Sequence, residues 1–133
     1  MKKNFLTLIA SFGLFVVSAF FQTHASDSRI GFHFYGANDC PPCMAFKRNY
    51  LSVVKASARE HGYSVKVNII GKIQHVAQKG SYGKADPLLR KAESSLSFVY
   101  PPIFIVTVND DVVIAKNGSW RQVMERAEQE SGV

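Results

Sequence analysis

The stretch Cys40-Pro41-Pro42-Cys43 contains the only two cysteines in a chain of 133 residues. Two cysteines separated by two residues can serve as a redox-active dithiol, as half of a metal site or as a structural disulfide. Each role places a different demand on the elements around the motif. The position of the motif within the secondary structure therefore decides much of what the chain can fold into and do.

Apolar residues flank the motif with two different periodicities. The segment from Ile30 to Tyr35 is mostly apolar and aromatic, which predicts a buried strand that stops at Gly36. From Met44 to His61 the apolar residues recur at helical spacing, and Gly62 is a plausible stop for that helix. The motif therefore joins a strand to a helix, with Cys40 at the N-terminus of the helix.

A helix N-terminus favours thiolate chemistry at Cys40. Backbone N–H groups without helical partners, and the positive end of the helix dipole, stabilise a thiolate over a thiol. Cys43 lies close to one turn further on, so its sulfur can reach that of Cys40. This spacing predicts that Cys40 is the nucleophile and that Cys43 resolves the mixed disulfide. Pro41 and Pro42 are tolerated in the first helical turn and stiffen the dithiol loop.

The two other roles of a cysteine pair are weaker here. A structural disulfide between adjacent turns closes a very small loop and stabilises little. A zinc site needs four ligands, and His33, His61 and His75 lack the spacing that would complete one. Met44 follows the second cysteine where c-type haem attachment needs a histidine. We therefore expect no metal, and nothing in the sequence implies a nucleotide or flavin cofactor.

The rest of the chain alternates between strands and helices. A second strand, parallel to the first, is predicted where the chain emerges from the long helix, and a short helix, a β-hairpin and a last helix follow it. The second strand spans Ser64 to Ile70, the short helix opens at Asp86-Pro87, the hairpin strands are Ile103 to Val108 and Val112 to Ala115, and Ser119 with Gln122 caps the last helix. The predicted order βαβαββα fits a central mixed sheet with helices on both faces.

Together these features resemble the thioredoxin family. The strand that ends just before Cys-Pro-Pro-Cys, the helix after it, the entry into the hairpin through Tyr100-Pro101-Pro102, and Gly118 before the last helix all match. The match spans nearly all of residues 30 to 130 and implies an α/β thioredoxin-like fold. It also implies a cis-proline loop beside the dithiol that holds the backbone of the substrate. That substrate-binding loop would be Tyr100, Pro101 and Pro102, with Pro102 as the cis residue and Pro101 as the alternative.

The sequence departs from the family pattern at several positions. Phe34 stands where members often carry a buried acidic residue beneath the second cysteine. Asp39 replaces the usual aromatic residue before the first cysteine, and its charge should oppose thiolate formation. Pro101 has no N–H group, so one of the usual contacts to substrate would be missing. The stretch from 71 to 83 is an extension, interpreted as a surface loop or as a partner-recognition element.

Lys66 lies in the middle of the predicted second strand, where an inner strand would bury a lysine at a cost. Either its side chain reaches water at an edge of the sheet, or it lies near Cys43 and assists proton transfer.

The first 25 residues have the features of a signal peptide. Lys2 and Lys3 precede an uncharged run from 5 to 21, and residues 22 to 25 provide the positions that a signal peptidase reads. An uncleaved membrane anchor is the alternative, because the run approaches the length of a membrane helix. Residues 26 to 133 would then form one exported domain. An exported location, most simply the bacterial periplasm, would expose the cysteines to an oxidising compartment.

The charge balance does not favour a nucleic-acid partner. The chain has 16 Lys and Arg against 10 Asp and Glu, but no basic cluster is interleaved with exposed aromatic residues. The sequence predicts a thiol-disulfide oxidoreductase that exchanges disulfides with cysteines of exported proteins. The two prolines, and the lack of a histidine between the cysteines, favour a reductase or isomerase over a strong oxidant.

Two partners follow from that function: the exported substrate proteins and a membrane or soluble redox protein that supplies electrons. Contact with the membrane itself is expected only if the leader stays uncleaved. The alternative is a non-catalytic binding module on the same scaffold, with the membrane as a tethering point.

Overall fold

The computed structural model describes residues 28–73 and 86–132. The leader (residues 1 to 25) and residues 74 to 83 of the extension lie outside these ranges. The strands are β1 (Ile30–Ala37), β2 (Ser64–Ile70), β3 (Ile103–Val108) and β4 (Asp111–Asn117). The helices are α1 (Pro41–Asn49), α2 (Leu51–His61), α3 (Pro87–Ala92), which continues into a 3-10 turn at Glu93–Ser95, and α4 (Trp120–Ser131). Within the two ranges, no helix combines the length and the apolar character needed to span a bilayer.

The four strands form one mixed sheet in the order β2-β1-β3-β4. β1 runs parallel to β2, because the chain returns through α1 and α2 before it enters β2. β3 is antiparallel to β1 and forms a hairpin with β4. Asn109 and Asp110 make the hairpin turn, with φ values of 51° and 69° that asparagine and aspartate tolerate well. The predicted mixed sheet is confirmed, and β1 is one of its two inner strands.

Alternate residues of β1 pack against helices on opposite faces of the sheet. Phe32 and Phe34 belong to a core cluster that also contains residues of α1, α2 and α4. Tyr35 belongs to a second cluster with Leu89 and Ala92 of α3. Helices therefore cover both faces, as the sequence predicts, and the fold is α/β and thioredoxin-like.

The long helix predicted from Met44 to His61 starts earlier, at Pro41, and is interrupted at Tyr50. Tyr50 has φ −125° and ψ −18°, outside the helical range. The hydrogen-bond ladder continues across it, because the Tyr50 N–H donates to Phe46 O at 2.9 Å and the Val54 N–H donates to Tyr50 O at 3.2 Å. The interruption is therefore a local bend within one helical path.

The N-termini of α3 and α4 are capped differently. Asp86 caps α3 as predicted, with its Oδ1 accepting from the N–H groups of Leu88 at 2.9 Å and Leu89 at 3.3 Å. The capping box predicted at Ser119 is absent, because the Ser119 side chain makes no cap hydrogen bond. Gly118 turns the chain into α4 with φ +71°, a conformation that glycine adopts without strain.

Candidate active site

The dithiol motif lies where the chain leaves β1 and enters α1. Cys40 is the N-cap residue of α1, with extended dihedrals of φ −103° and ψ 102°. Its carbonyl accepts from the N–H of Met44 at 3.0 Å, and its Sγ accepts from the N–H of Cys43 at 3.3 Å. A cysteine sulfur thus occupies the position where serine or aspartate oxygens commonly cap a helix. The predicted placement of Cys40 at a helix N-terminus is correct.

Cys40 and Cys43 are joined in a disulfide, with their Cα atoms 5.2 Å apart. Both residues are nearly inaccessible, with 1% of Cys40 and none of Cys43 exposed. Pro41 and Pro42, between them, are exposed in the first turn of α1. The described residues contain no group of three His, Cys, Asp or Glu side chains that could hold a metal ion. The arrangement suits two-electron exchange between the disulfide and another thiol pair.

Packed phenylalanine rings lie next to the second cysteine. Phe34 packs against Phe46 and Phe104, with ring centroids 4.7 and 5.3 Å away. Among the described residues, the buried polar side chains are those of His33, Ser57 and Thr107, and no Asp or Glu is buried. The departure noted in the sequence at Phe34 is therefore a real difference in the environment of the dithiol.

Gly36 allows the motif to approach β1 closely. A Cβ atom at this position would lie 2.7 Å from Cζ of Phe34 and 3.1 Å from Cβ of Cys43. The first distance is shorter than normal van der Waals contact, so any side chain would displace a neighbour. The glycine that ends the apolar run in the sequence therefore sets the distance between the dithiol and the sheet.

Two hydrogen bonds tie the loop before Cys40 to the last residue of β2 and to the chain just after it. The Asn38 N–H donates to Ile70 O at 3.0 Å. The Asp39 Oδ1 accepts from the Ile73 N–H at 2.6 Å. The sequence alone predicts only that Asp39 opposes a negative charge on Cys40. Its second role joins residues 34 positions apart, for which the sequence carries no local signal.

The proline loop enters the sheet at the same end from which the motif leaves it. Ile103, the first residue of β3, pairs with Tyr35 near the end of β1. The peptide bond between Pro101 and Pro102 is cis, so Pro102 is the cis residue. Pro101 is buried and Tyr100 is 41% exposed. The Pro102 carbonyl accepts from the Gly118 N–H at 3.1 Å, which brings the start of α4 to this end as well.

Lys66 does not join the dithiol. It pairs with His33 in the register between β1 and β2, and alternation along β1 puts both on the face opposite Phe32 and Phe34. The sheet therefore separates Lys66 from the cysteines, which pack on the Phe34 side. This placement corrects the prediction that Lys66 assists proton transfer at Cys43. β2 is an edge strand and Lys66 is exposed there, which agrees with the other interpretation.

His33 is buried, and its Nε2 lies 3.0 Å from the hydroxyl of Thr107. Burial, and then the positive charge of Lys66, lower the pKa of His33, while Asp86 and Asp110 act in the opposite direction. His33 is thus a core histidine on the face of the sheet away from the cysteines.

Sequence reasoning missed two residues beside the proline loop. Phe98 is 58% exposed and lies edge-on to Tyr100, with ring centroids 6.5 Å apart. Asn117, the last residue of β4, donates from Nδ2 to the carbonyls of Phe98 at 3.0 Å and Tyr100 at 2.9 Å. Nothing in the local sequence marks Asn117, because the contact depends on how β4 lies against the loop.

No family model and no curated protein matches this chain. Among solved structures, it is similar to thioredoxin f from spinach chloroplast (short form), with 16% identity, a TM-score of 0.48, and coverage of 80% of this chain and 79% of that one. It is also similar to glutaredoxin 1 from Francisella tularensis, complexed with cacodylate, with 13% identity, a TM-score of 0.39, and coverage of 78% and 99%. Independently of these figures, the strand order and the helices on both faces define a thioredoxin-like fold, with a disulfide at the start of α1.

Proposed function

We propose that the protein is a thiol-disulfide oxidoreductase that exchanges disulfides with cysteines of exported proteins. The observation that carries the proposal is the position of Cys40 at the N-cap of α1, where its sulfur accepts the Cys43 N–H. That N–H and the helix dipole favour negative charge on the sulfur once the disulfide is reduced. A purely structural disulfide would gain nothing from this placement.

The reaction proceeds in two exchanges. The Cys40 thiolate attacks one sulfur of a substrate disulfide, so a Cys40–substrate bond forms and the other substrate sulfur leaves as a thiolate. Cys43 then loses its proton to water or to that departing thiolate and attacks the Cys40 sulfur. The substrate leaves fully reduced, and the Cys40–Cys43 disulfide holds the oxidised state. Two electrons have moved from the protein to the substrate, and an external dithiol must supply two electrons to the Cys40–Cys43 disulfide before the next turnover.

We propose that the protein acts as a reductase or an isomerase of disulfides and not as a strong oxidant. Asp39 puts a carboxylate next to Cys40, which disfavours the thiolate of the reduced form and so does not favour a strong oxidant. The leader sequence supports an exported location, most simply the bacterial periplasm. There the electrons would come from a membrane or soluble redox protein, and the substrates would be exported proteins that contain cysteines.

Reduction of insulin in the presence of dithiothreitol tests this function. The oxidised protein is expected to accelerate the precipitation of the insulin B chain at catalytic concentrations. The Cys40→Ser variant should lose this acceleration entirely, because no nucleophile remains. The Cys43→Ser variant should form mixed disulfides without turnover. If the wild type matches the uncatalysed rate, the proposal is wrong.

One observation favours a second candidate, a binding module that uses the scaffold without catalysis. The disulfide is almost completely buried, so a substrate sulfur has little access to Cys40 as the structure stands. An inert pair would resist dithiothreitol under native conditions and would leave insulin unreduced. The same assay therefore separates the two candidates.

A further inference from the structure

Phe98 and Tyr100 are exposed on a segment whose other apolar residues pack against the core. Val99, between them, packs against the core cluster under α3, and Leu96 does the same. The two aromatic side chains remain 58% and 41% exposed. Large aromatic side chains that stay exposed on an anchored segment commonly mark contact surfaces.

The backbone of the same segment has few N–H groups left to bind a partner. The Tyr100 N–H donates to Phe98 O at 3.1 Å. The carbonyls of Phe98 and Tyr100 both accept from the side chain of Asn117. Pro101 and Pro102 have no N–H group at all. From residue 100 to residue 102, therefore, the loop offers no free backbone donor to an incoming extended peptide.

The lack of free backbone donors and the presence of two exposed rings affect how this loop could recognise a substrate. Pairing through backbone groups tolerates almost any sequence, because every residue except proline has the same N–H and C=O. Contact with aromatic side chains instead favours partners with apolar side chains, because the binding free energy comes from apolar surface that is removed from water. A loop without donors but with two exposed rings should discriminate by the side chains of the substrate.

We propose that Phe98 and Tyr100 form a specificity surface for an apolar side chain next to the reactive cysteine of the substrate. The occupant is an extended segment of a cysteine-containing protein, because Tyr100 shortly precedes β3 at the same end of the sheet where the chain leaves β1 for the dithiol. Asn117 is a positioning residue that holds the loop with both rings outward. The inference rests on the proposed function and names the substrate class for that site.

The test uses two disulfide-linked peptide homodimers that differ only in the residues flanking the cysteine, Leu in one and Ser in the other. Hydroxyethyl disulfide serves as a substrate without side chains. For the wild type we expect kcat/KM to be about tenfold higher for the Leu peptide, as burial of one apolar side chain against a ring would give. Phe98→Ser and Tyr100→Ser should each lower that ratio at least about threefold, because each substitution removes about half of the apolar surface that the Leu side chain would cover.

Val53→Ser is the matched control, because Val53 is 46% exposed on α2 and lies in neither the dithiol nor the proline loop. It should keep the wild-type ratio. A wild-type ratio near one, or a ratio unchanged in both aromatic variants, would overturn the specificity surface. If hydroxyethyl disulfide is still reduced in that case, the proposed function survives. If the wild type reduces neither peptide nor hydroxyethyl disulfide, the proposed function fails, and this inference fails with it.

Discussion

The two cysteines have unequal surroundings although they are three residues apart. Cys40 is at the N-cap, where its sulfur accepts a backbone N–H and faces the positive end of α1. Cys43 is inside the helix, fully buried and close to Gly36 and the Phe34 ring. Both cysteines are buried in this oxidised form, so the difference between them is the helix N-terminus, which favours a thiolate at Cys40 and not at Cys43. The reduced protein should therefore have one reactive thiol and one inert thiol.

Alkylation of the reduced protein measures this inequality. With iodoacetamide at neutral pH, we expect Cys40 to be modified at least about tenfold faster than Cys43, since the thiolate is the reacting species. Peptide mapping by mass spectrometry after timed quenching gives both rates. Denatured protein is the control, in which the two rates should converge. Equal rates in the folded protein would remove the basis for assigning Cys40 as the nucleophile.

Asp39 brings two opposing effects to the same place. Its carboxylate lies next to Cys40 in sequence and should repel a thiolate there, while its bond to the Ile73 N–H fixes the loop. Asp39→Asn keeps an oxygen that can accept this bond and removes the charge. We expect Cys40 to be alkylated about two- to threefold faster at low salt, with the difference shrinking in high salt.

Asp111→Asn is the control for this charge effect. It removes one negative charge at the β3–β4 turn, at the other end of the sheet from the dithiol. Its alkylation rate should match that of the wild type. If Asp39→Asn instead slows alkylation, the carboxylate does not act on Cys40 by repulsion, and our account of Asp39 is wrong.

At the scale of secondary structure, the close approach of β1 and α1 depends on Gly36. In Gly36→Ala, the new Cβ meets the Phe34 ring and the Cys43 Cβ at distances that force one of them to move. We expect the free energy of unfolding of the oxidised protein to fall by about 1–3 kcal/mol, as for other overpacked sites. Urea denaturation followed by circular dichroism measures the change.

Gly71→Ala provides a matched comparison. Among the residues that the structure describes, a Cβ at Gly71 would have no neighbour within 4 Å. Its effect should stay within about 0.5 kcal/mol, and the smaller backbone entropy of the unfolded chain can make it slightly stabilising. Equal losses in the two variants would mean that loss of glycine itself, and not contact with Phe34 and Cys43, is responsible.

The elements around the motif could be predicted because their signals are local. The apolar run of β1, the cysteine spacing and the proline loop each need only a few neighbouring residues to be interpreted. The break at Tyr50 carries no such signal, since Tyr50 stacks on Trp120 of α4, with centroids 5.0 Å apart, and that contact joins two distant parts of the chain. Asn117 and the Asp39–Ile73 bond were missed for the same reason.

At the scale of the whole molecule, Lys66 could not be placed from the sequence because the order of the strands in the sheet was not predicted. The alternating pattern correctly predicts a sheet with two covered faces, but not which strand lies at its edge. With β2 at the edge, Lys66 is exposed, and its register with His33 puts it behind the sheet from Cys43. Its charge then acts on a different group, the buried imidazole of His33.

That interaction makes the stability of the whole protein depend on pH. Burial and Lys66 lower the pKa of His33 in the folded state, while the unfolded chain keeps a value of about 6.5. Below that pH the unfolded chain binds a proton that the folded protein does not, so the free energy of unfolding falls as the pH falls toward the folded pKa. The contribution is fully present above about pH 6.5, and its slope is at most about 1.4 kcal/mol per pH unit.

Urea denaturation between about pH 7.5 and 5 tests this linkage by comparing pH slopes. His33→Gln cannot titrate and can still bond to the Thr107 hydroxyl, so we expect a shallower loss of stability in acid than in the wild type. Lys66→Gln should give an intermediate slope, because removing its charge raises the pKa of His33 toward the unfolded value while burial still lowers it. Lys55→Gln, an exposed position on α2, should follow the wild type. Identical slopes for wild type and His33→Gln would show that the imidazole is not the group that senses acid, and would contradict this prediction.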